Sequence, residues 1–379
     1  MTAKVSLLPT KSYDWPLVRD AVAEHFSLLE VSIAPDRPVV LKPNLILRCG
    51  PERAATFHPM VLEAVLAQLR DMGVKNIAVA ESPGGPFTPG LLKALFDKTG
   101  VAKAAAKYHV PCITETQGIQ RHRTENLLCR TFDIIAPVTE DVFLIDLCKV
   151  KTHCMMTFSG GVKNLFGCVP GLLKPQLHYR FPEEEQFAAM LVDLAETLHP
   201  DLVIADGVIG MEGDGPTAGN PCPLGITAAA PYEGLYALDL LLCRMIGLEP
   251  ARVPTVMESK RRGLCPEPVI LGNRTLAQTV TPFQRPRSKT LDFAASAGIL
   301  GPLVRWAKPW LASRPYIQKK SCIGCGQCAG TCPADAIILQ NRKAEIDPKK
   351  CIRCFCCHEM CPERAVQVWE PPFFRWFSK

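Results

Sequence analysis

Over residues 1–272 the chain alternates two hydrophobic patterns. Short apolar runs at 5–8, 39–41, 77–80, 132–135, 142–147, 202–205 and 226–229 read as buried strands. Between them, apolar residues recur with helical spacing at 17–29, 61–72, 90–99, 102–108, 183–198 and 232–246. Two of these helices are closed by glycine, Gly73 and Gly100, and His58-Pro59 marks the start of another. The helix at 183–198 opens on acidic residues, which suits the positive end of its dipole. Strands alternating with helices predict an α/β fold, a mostly parallel sheet with flanking helices. The segment from Gly210 to Pro216 is too rich in glycine to be expected in regular structure.

Several predicted strands end in polar groups. They supply Lys42 and Asn44, then Glu81 and Ser82, then Lys149, Lys151 and His153, and finally Asp206. In open α/β sheets ligands sit outside the carboxyl ends of the strands, so four such ends predict one converging cleft. Lys149 and Lys151 have the same parity and would share a face. Lys163 and Asn164 follow on a glycine-bounded turn or short helix at 159–167. Lysines and backbone N–H donors together suit a carboxylate or phosphate. Lys149, Lys151, His153 and Glu81 are the candidate catalytic residues, with His153 or Glu81 moving protons. Lys42, Asn44, Lys163, Asn164 and Asp206 are the candidates for holding an anionic substrate or cofactor. The bland alternatives are solvated lysines and a structural histidine. No G-x-G-x-x-G or G-x-x-x-x-G-K-[ST] pattern is present, which excludes a Rossmann dinucleotide site and a P-loop. Asp239 lies in an apolar helix, where burial without a partner is costly, so it is expected to pair, with a lysine of the cleft as candidate. Glu212 and Asp214 either bind a cation or shape a loop.

The C-terminal end changes the picture. Cys322, Cys325, Cys328 and Cys332, then Cys351, Cys354, Cys357 and Cys361, repeat C-x2-C-x2-C-x3-C, each followed by proline. A shift of 29 positions superposes the sets and also carries Ile317 onto Ile346 and Ala336 onto Ala365. This is the bacterial ferredoxin run for two 4Fe–4S clusters, in which the fourth cysteine serves the other cube. Cys322, Cys325, Cys328 and Cys361 are therefore assigned to one cluster, and Cys351, Cys354, Cys357 and Cys332 to the second. Doubling of the run argues against zinc knuckles. Cys356 fits no ligand slot and reads as packing beside the cluster.

At 379 residues, 47% of them apolar, the chain has room for this small domain and a larger one. Residues 1–272 form the α/β domain, 273–314 a basic Pro- and Trp-containing linker, 315–370 the ferredoxin domain and 371–379 an aromatic, basic tail. The N-terminus has no apolar h-region, and no stretch is long and apolar enough to span a membrane, so a cytoplasmic protein is expected. Net charge is +6, but residues 273–379 hold 17 Lys/Arg against 7 Asp/Glu. The basic end points to an acidic redox partner such as ferredoxin or flavodoxin, to a peripheral membrane contact, or to docking on the chain's own acidic domain. Trp306, Trp310, Trp369 and Trp376 flank the cysteines and allow either a domain clamp or an interfacial patch. No nucleic-acid partner is expected.

Lys42-Pro43-Asn44, His58-Pro59, Ala80-Glu81-Ser82, Lys149-Val150-Lys151-Thr152-His153, Lys163-Asn164-Leu165-Phe166-Gly167, 211–216 and Asp239 resemble the domain of unknown function 362 family. Members of that family are often joined to a two-cluster ferredoxin module. The resemblance covers roughly residues 3–272 and implies an iron–sulfur protein of anaerobic or facultative prokaryotes. Three functions stay open. The first is an oxidoreductase relaying electrons to or from an anion in the cleft. The second is a non-catalytic electron-transfer or assembly subunit. The third is a non-redox enzyme acting on an organic acid, with structural clusters.

Overall fold

The computed structural model describes residues 3–289 and 312–370. Strand β1 (Ala3–Pro9) leads into α1 (Trp15–Leu28), and β2 (Val39–Pro43) into α2 (Pro59–Asp71). β3 (Ile77–Val79) precedes α3 (Pro89–Lys98) and α4 (Val101–Ala106). A hairpin of β4 (Gly118–His122) and β5 (Thr131–Ile135) stands apart from the main sheet. Next come β6 (Phe143–His153), β7 (Thr157–Ser159), α5 (Gly161–Asn164), α6 (Leu173–Arg180) and α7 (Glu184–Leu198). β8 (Leu202–Glu212), β9 (Asn220–Pro231), α8 (Leu235–Met245), α9 (Pro254–Arg261) and β10 (Pro268–Gly272) complete this part.

The sheet runs β10-β1-β9-β8-β6-β2-β3, with β7 on β6. Pairing is parallel except at β9, antiparallel to both neighbours, and at β7. It is a mostly parallel mixed sheet with helices on both faces, and its central strands are correspondingly apolar on both sides. Along β6, Phe143, Ile145 and Leu147 pack into the core shared with α1 and α2, while Leu144, Cys148 and Val150 join α7 and α8.

Several elements depart from the hydrophobic pattern. β6 continues through Lys149, Lys151 and His153, because their side chains find buried polar partners. β8 continues to Glu212 through the glycine-rich stretch expected to be irregular. A Cβ at Gly210 would sit 2.7 Å from the Phe283 ring and 2.9 Å from Val150 O, so glycine permits the close packing there. β4, β7 and α6 carry no apolar run or stripe; β10, with the run Val269–Leu271, and the short amphipathic α9 add to the elements expected. Asp239 does not pair with a lysine: it accepts from the N–H groups of Gly161 (2.7 Å) and Val162 (3.1 Å), fixing the start of α5. Glu212 and Asp214 anchor the chain beyond β10, accepting from Gln284 N and Arg287 N, each at 2.8 Å.

In the C-terminal module β11 (Arg314–Ile317) pairs with β14 (Val366–Trp369), and β12 (Ile337–Gln340) with β13 (Lys343–Ile346). Short helices α10 (Gln327–Gly330) and α11 (Cys356–Glu359) complete it. The 29-residue repeat is written in the backbone. Gly324 and Gly326 have φ of 69° and 78°, and their counterparts Arg353 and Phe355 have 60° and 61°. A left-handed conformation is natural for glycine and uncommon for the other two, so the second loop keeps the shape of the first against local preference. Trp369 lies in β14 with the Arg314 guanidinium 4.5 Å from its ring. Trp306, Trp310, Trp376, the tail and most of the linker lie outside the described residues. Among the described residues no helix is long and apolar enough to cross a membrane.

Candidate functional site

β2 stops pairing with β6 at Pro43 and Leu147, while β6 runs on to His153. The overhang carries Lys151 to the carboxyl edge of the sheet, where its Nζ donates to Asn44 Oδ1 and Ala55 O, both at 2.7 Å. Lys42 Nζ lies 2.9 Å from Glu81 Oε2 and donates to Asn164 Oδ1 at 2.7 Å. Asn44 Nδ2 donates to the same oxygen at 2.6 Å, and Asn164 Nδ2 donates to Asp146 Oδ1 at 2.8 Å. Asn164 thus ties β2 and β6 to α5. Lys163, one residue earlier, holds its ammonium 4.8 Å from the Phe166 ring centroid. From α6, Lys174 donates to the Ser82 carbonyl, and His178 stacks on Phe187 at 4.2 Å.

These groups line a cavity of about 70 Å³. Part of its wall is the C-terminal module, through Thr331, Cys356, Glu359 and Met360. Glu359 Oε1 stands 3.2 Å from His153 Nε2. His153 Nδ1 accepts from the N–H groups of Met155 and Met156, so the proton of the neutral ring sits on Nε2, facing Glu359. Cys154 packs with Phe355 and Val368, a second seam between the two parts.

Burial sets the electrostatics. It lowers the Lys151 pKa to about 7, helped by neighbouring Lys163, and lowers Lys174 to about 7 against the pull of Glu81. It also depresses Lys163. Burial holds His153 down to about 4, so the ring is neutral at pH 7. Lys42 goes the other way: burial would lower its pKa, but Glu81 and Asp146 together outweigh that and keep it charged. Four buried lysines line the cavity with two carboxylates, Glu81 and Glu359, and an anion bound there would favour the protonated form of the lysines that burial depresses.

The structure brings Lys42, Asn44, Glu81, Lys151, His153, Lys163 and Asn164 together around this cavity, but not Lys149 and Asp206. Those two face each other across β6 and β8 and form a buried ion pair of 2.7 Å, closed by the Tyr13 hydroxyl. Lys149 is thus paired within the sheet and does not line the cavity. Lys174, His178 and Glu359 went unnoticed in the sequence. Cys356, expected only to pack beside the cluster, also lines this cavity.

The eight cysteines of the repeat line two further cavities. Cys322, Cys325, Cys328 and Cys361 surround one; Cys332, Cys351, Cys354 and Cys357 surround the other. Backbone N–H groups donate to sulfur at Cys332 (3.3 Å, from Ala336), Cys361 (3.2 Å, from Ala365) and Cys322 (3.5 Å, from Ala344). Four thiols with amide donors form the donor set that 4Fe–4S clusters require.

Residues 39–241 match the family model described as "Domain of unknown function (DUF362)". The chain belongs to the DUF362 family. Residues 314–362 match a 4Fe-4S dicluster domain, so the DUF362 domain is joined to a module that binds 4Fe–4S clusters and has the capacity for electron transfer. Over 299 residues the chain is 31% identical to the thylakoid-associated protein sll1697 of Synechocystis sp., covering 77% of this chain and 87% of that protein. Among solved structures, a Thermotoga maritima protein gives a TM-score of 0.41 at 11% identity, over 62% of this chain and 60% of its own. The lactate racemase apoprotein of Thermoanaerobacterium thermosaccharolyticum gives 0.39 at 13% identity, over 65% and 57%. Both are partial likenesses that leave activity unaddressed.

Proposed function

We propose that this protein relays electrons between an acidic redox partner and an anionic molecule, a substrate or cofactor, held in the lysine cavity. Two 4Fe–4S clusters, held by the two cysteine quartets, would each supply a one-electron centre. The observation that supports this reading is a shared wall. Cys356 sits between the quartet members Cys354 and Cys357, and it lines the lysine cavity together with Glu359. Lys151, Lys163 and Lys174 would neutralise and orient the anion. Lys42, Glu81, Asn44 and Asn164 form the braced frame that keeps those ammonium groups apart. His153 carries its proton at Nε2 and is placed to exchange it within the cavity. The excess of Lys and Arg beyond residue 272 favours an acidic partner. The association of the Synechocystis relative with thylakoids extends the proposal to a peripheral membrane contact.

The test is anaerobic purification, iron analysis and mass spectrometry of the co-purifying small molecule, in the wild type and in Lys163→Met. Both proteins should hold about eight irons per chain and be reduced by dithionite. The anion should be present in the wild type and depleted at least tenfold in the variant. Equal occupancy in both, or clusters that dithionite cannot reduce, would sink the relay.

A further inference from the structure

Beside the lysine cavity lies a second one of about 590 Å³. Ile46, Pro83, Gly84, Thr331 and Met360 line both, so the two are neighbours across one thin partition. Their chemistry differs. The smaller holds the ammonium groups. The larger is walled by Leu47, Pro86, Leu91, Ala94, Leu95 and Pro362, and no carboxylate lines it. Its charged lining consists of Arg48 and Lys98, both exposed.

Size separates them further. Small-molecule sites commonly run from roughly 300 to 1,000 Å³. The larger cavity falls within that range and the lysine cavity far below it. The lysines therefore have room for a carboxylate or phosphate but not for the rest of a metabolite. The partition itself is adaptable. A Cβ at Gly84 would lie 2.7 Å from Met360 Sδ, so the loop after β3 meets Met360 as closely as glycine allows. Met360 is unbranched, with a polarisable thioether that repacks at low cost.

We propose that the ligand is a free anionic amphiphile. Its carboxylate or phosphate head is held by Lys151, Lys163 and Lys174, and its apolar body lies in the groove between α3 and α10. This rests on the anion-binding reading given above. Charge complementarity at one end and a largely apolar, carboxylate-free volume at the other identify the occupant; a docked protein partner has no need of the lysines.

The probe is a series of straight-chain carboxylates (acetate, butanoate, octanoate and dodecanoate) below micelle-forming concentrations. Each is titrated calorimetrically into the anaerobic, iron-loaded protein. Each methylene entering the groove should tighten binding about fourfold, the equivalent of about 0.8 kcal/mol. Octanoate should therefore bind at least a hundredfold tighter than acetate. Ala94→Trp, which fills the groove, and Leu91→Asp, which charges it, should flatten the series while leaving iron content and acetate affinity unchanged. Lys163→Met should weaken every member by the same factor. If acetate binding ignores Lys163→Met, the anion-binding reading fails, and this inference with it. If acetate depends on Lys163 but affinity is flat with chain length, or the groove variants leave its slope intact, only this inference is overturned. Anionic phospholipid vesicles should not displace bound dodecanoate; displacement would overturn the assignment to a free molecule.

Discussion

Lys149 and Lys151 share a strand and a parity, yet they differ in what they can do. Lys149 meets Asp206 across the sheet, while Lys151 is bound by neutral oxygens of Asn44 and Ala55. Alternation along the strand made both visible as candidates. The distinction rests on the register of β6 against β8, which no local pattern contains. Lys174 and His178 were illegible for another reason: they sit on α6, a helix with no apolar stripe, some 20 residues or more from the nearest predicted strand end. Lys151 also carries a prediction about pH. Its folded pKa of about 7, and that of Lys174, mean that both are charged below neutrality and lose their protons above it. Anion affinity therefore falls as pH rises through 7, while acetate itself stays ionised. Acetate titrations from pH 6 to 9 should show weakening that approaches tenfold per pH unit for each lysine involved. Lys151→Met should make the slope shallower, leaving the part due to Lys174. A flat profile in the wild type would remove these two lysines from the site.

Among the elements, α5 is only four residues long, yet much depends on it. Its four residues carry Lys163 and Asn164, and its first two N–H groups are held by the buried Asp239 of α8. A Cβ at Gly160 would overlap the Asp239 carboxylate and the Phe158 ring. Gly160→Ala should cost about 1–3 kcal/mol through overpacking and lower the unfolding midpoint in a thermal melt. Acetate affinity should fall with it, because Lys163 moves. Gly90→Ala, in α3 where an added Cβ meets nothing within 4 Å, should be neutral or stabilising by up to about 1 kcal/mol. An equal loss in both would show that α5 is not specially constrained. The core strands β2 and β3 were legible because each opens on an unbroken run of apolar residues, and β1 because its apolar residues are interrupted only by Lys4 and Ser6. The outer halves of β6 and β8 were not, because lysine, aspartate and glycine there resemble a loop until their partners are known. Asp239 was legible as a buried acid that needed a partner, but its partner proved to be backbone, which any sequence supplies.

For the whole molecule, the cysteine repeat made the C-terminal module readable residue by residue, since each ligand slot has a fixed spacing. Its docking was unreadable, because contacts such as His153 to Glu359 join residues about 200 positions apart. The basic charge of that end leaves a membrane prediction. Full-length protein should float with liposomes containing anionic lipid, and a chain lacking residues 371–379 should float several-fold less; equal recovery would exclude the tail as the anchor. The shared wall has one more consequence, for assembly in the cell. A small domain of this kind owes much of its folding free energy to its metal. Thr331, Cys356, Glu359 and Met360 close the lysine cavity from that domain. A chain made during iron starvation would carry all four lysines and no complete pocket around them, so iron supply would govern ligand capture before any electron moved.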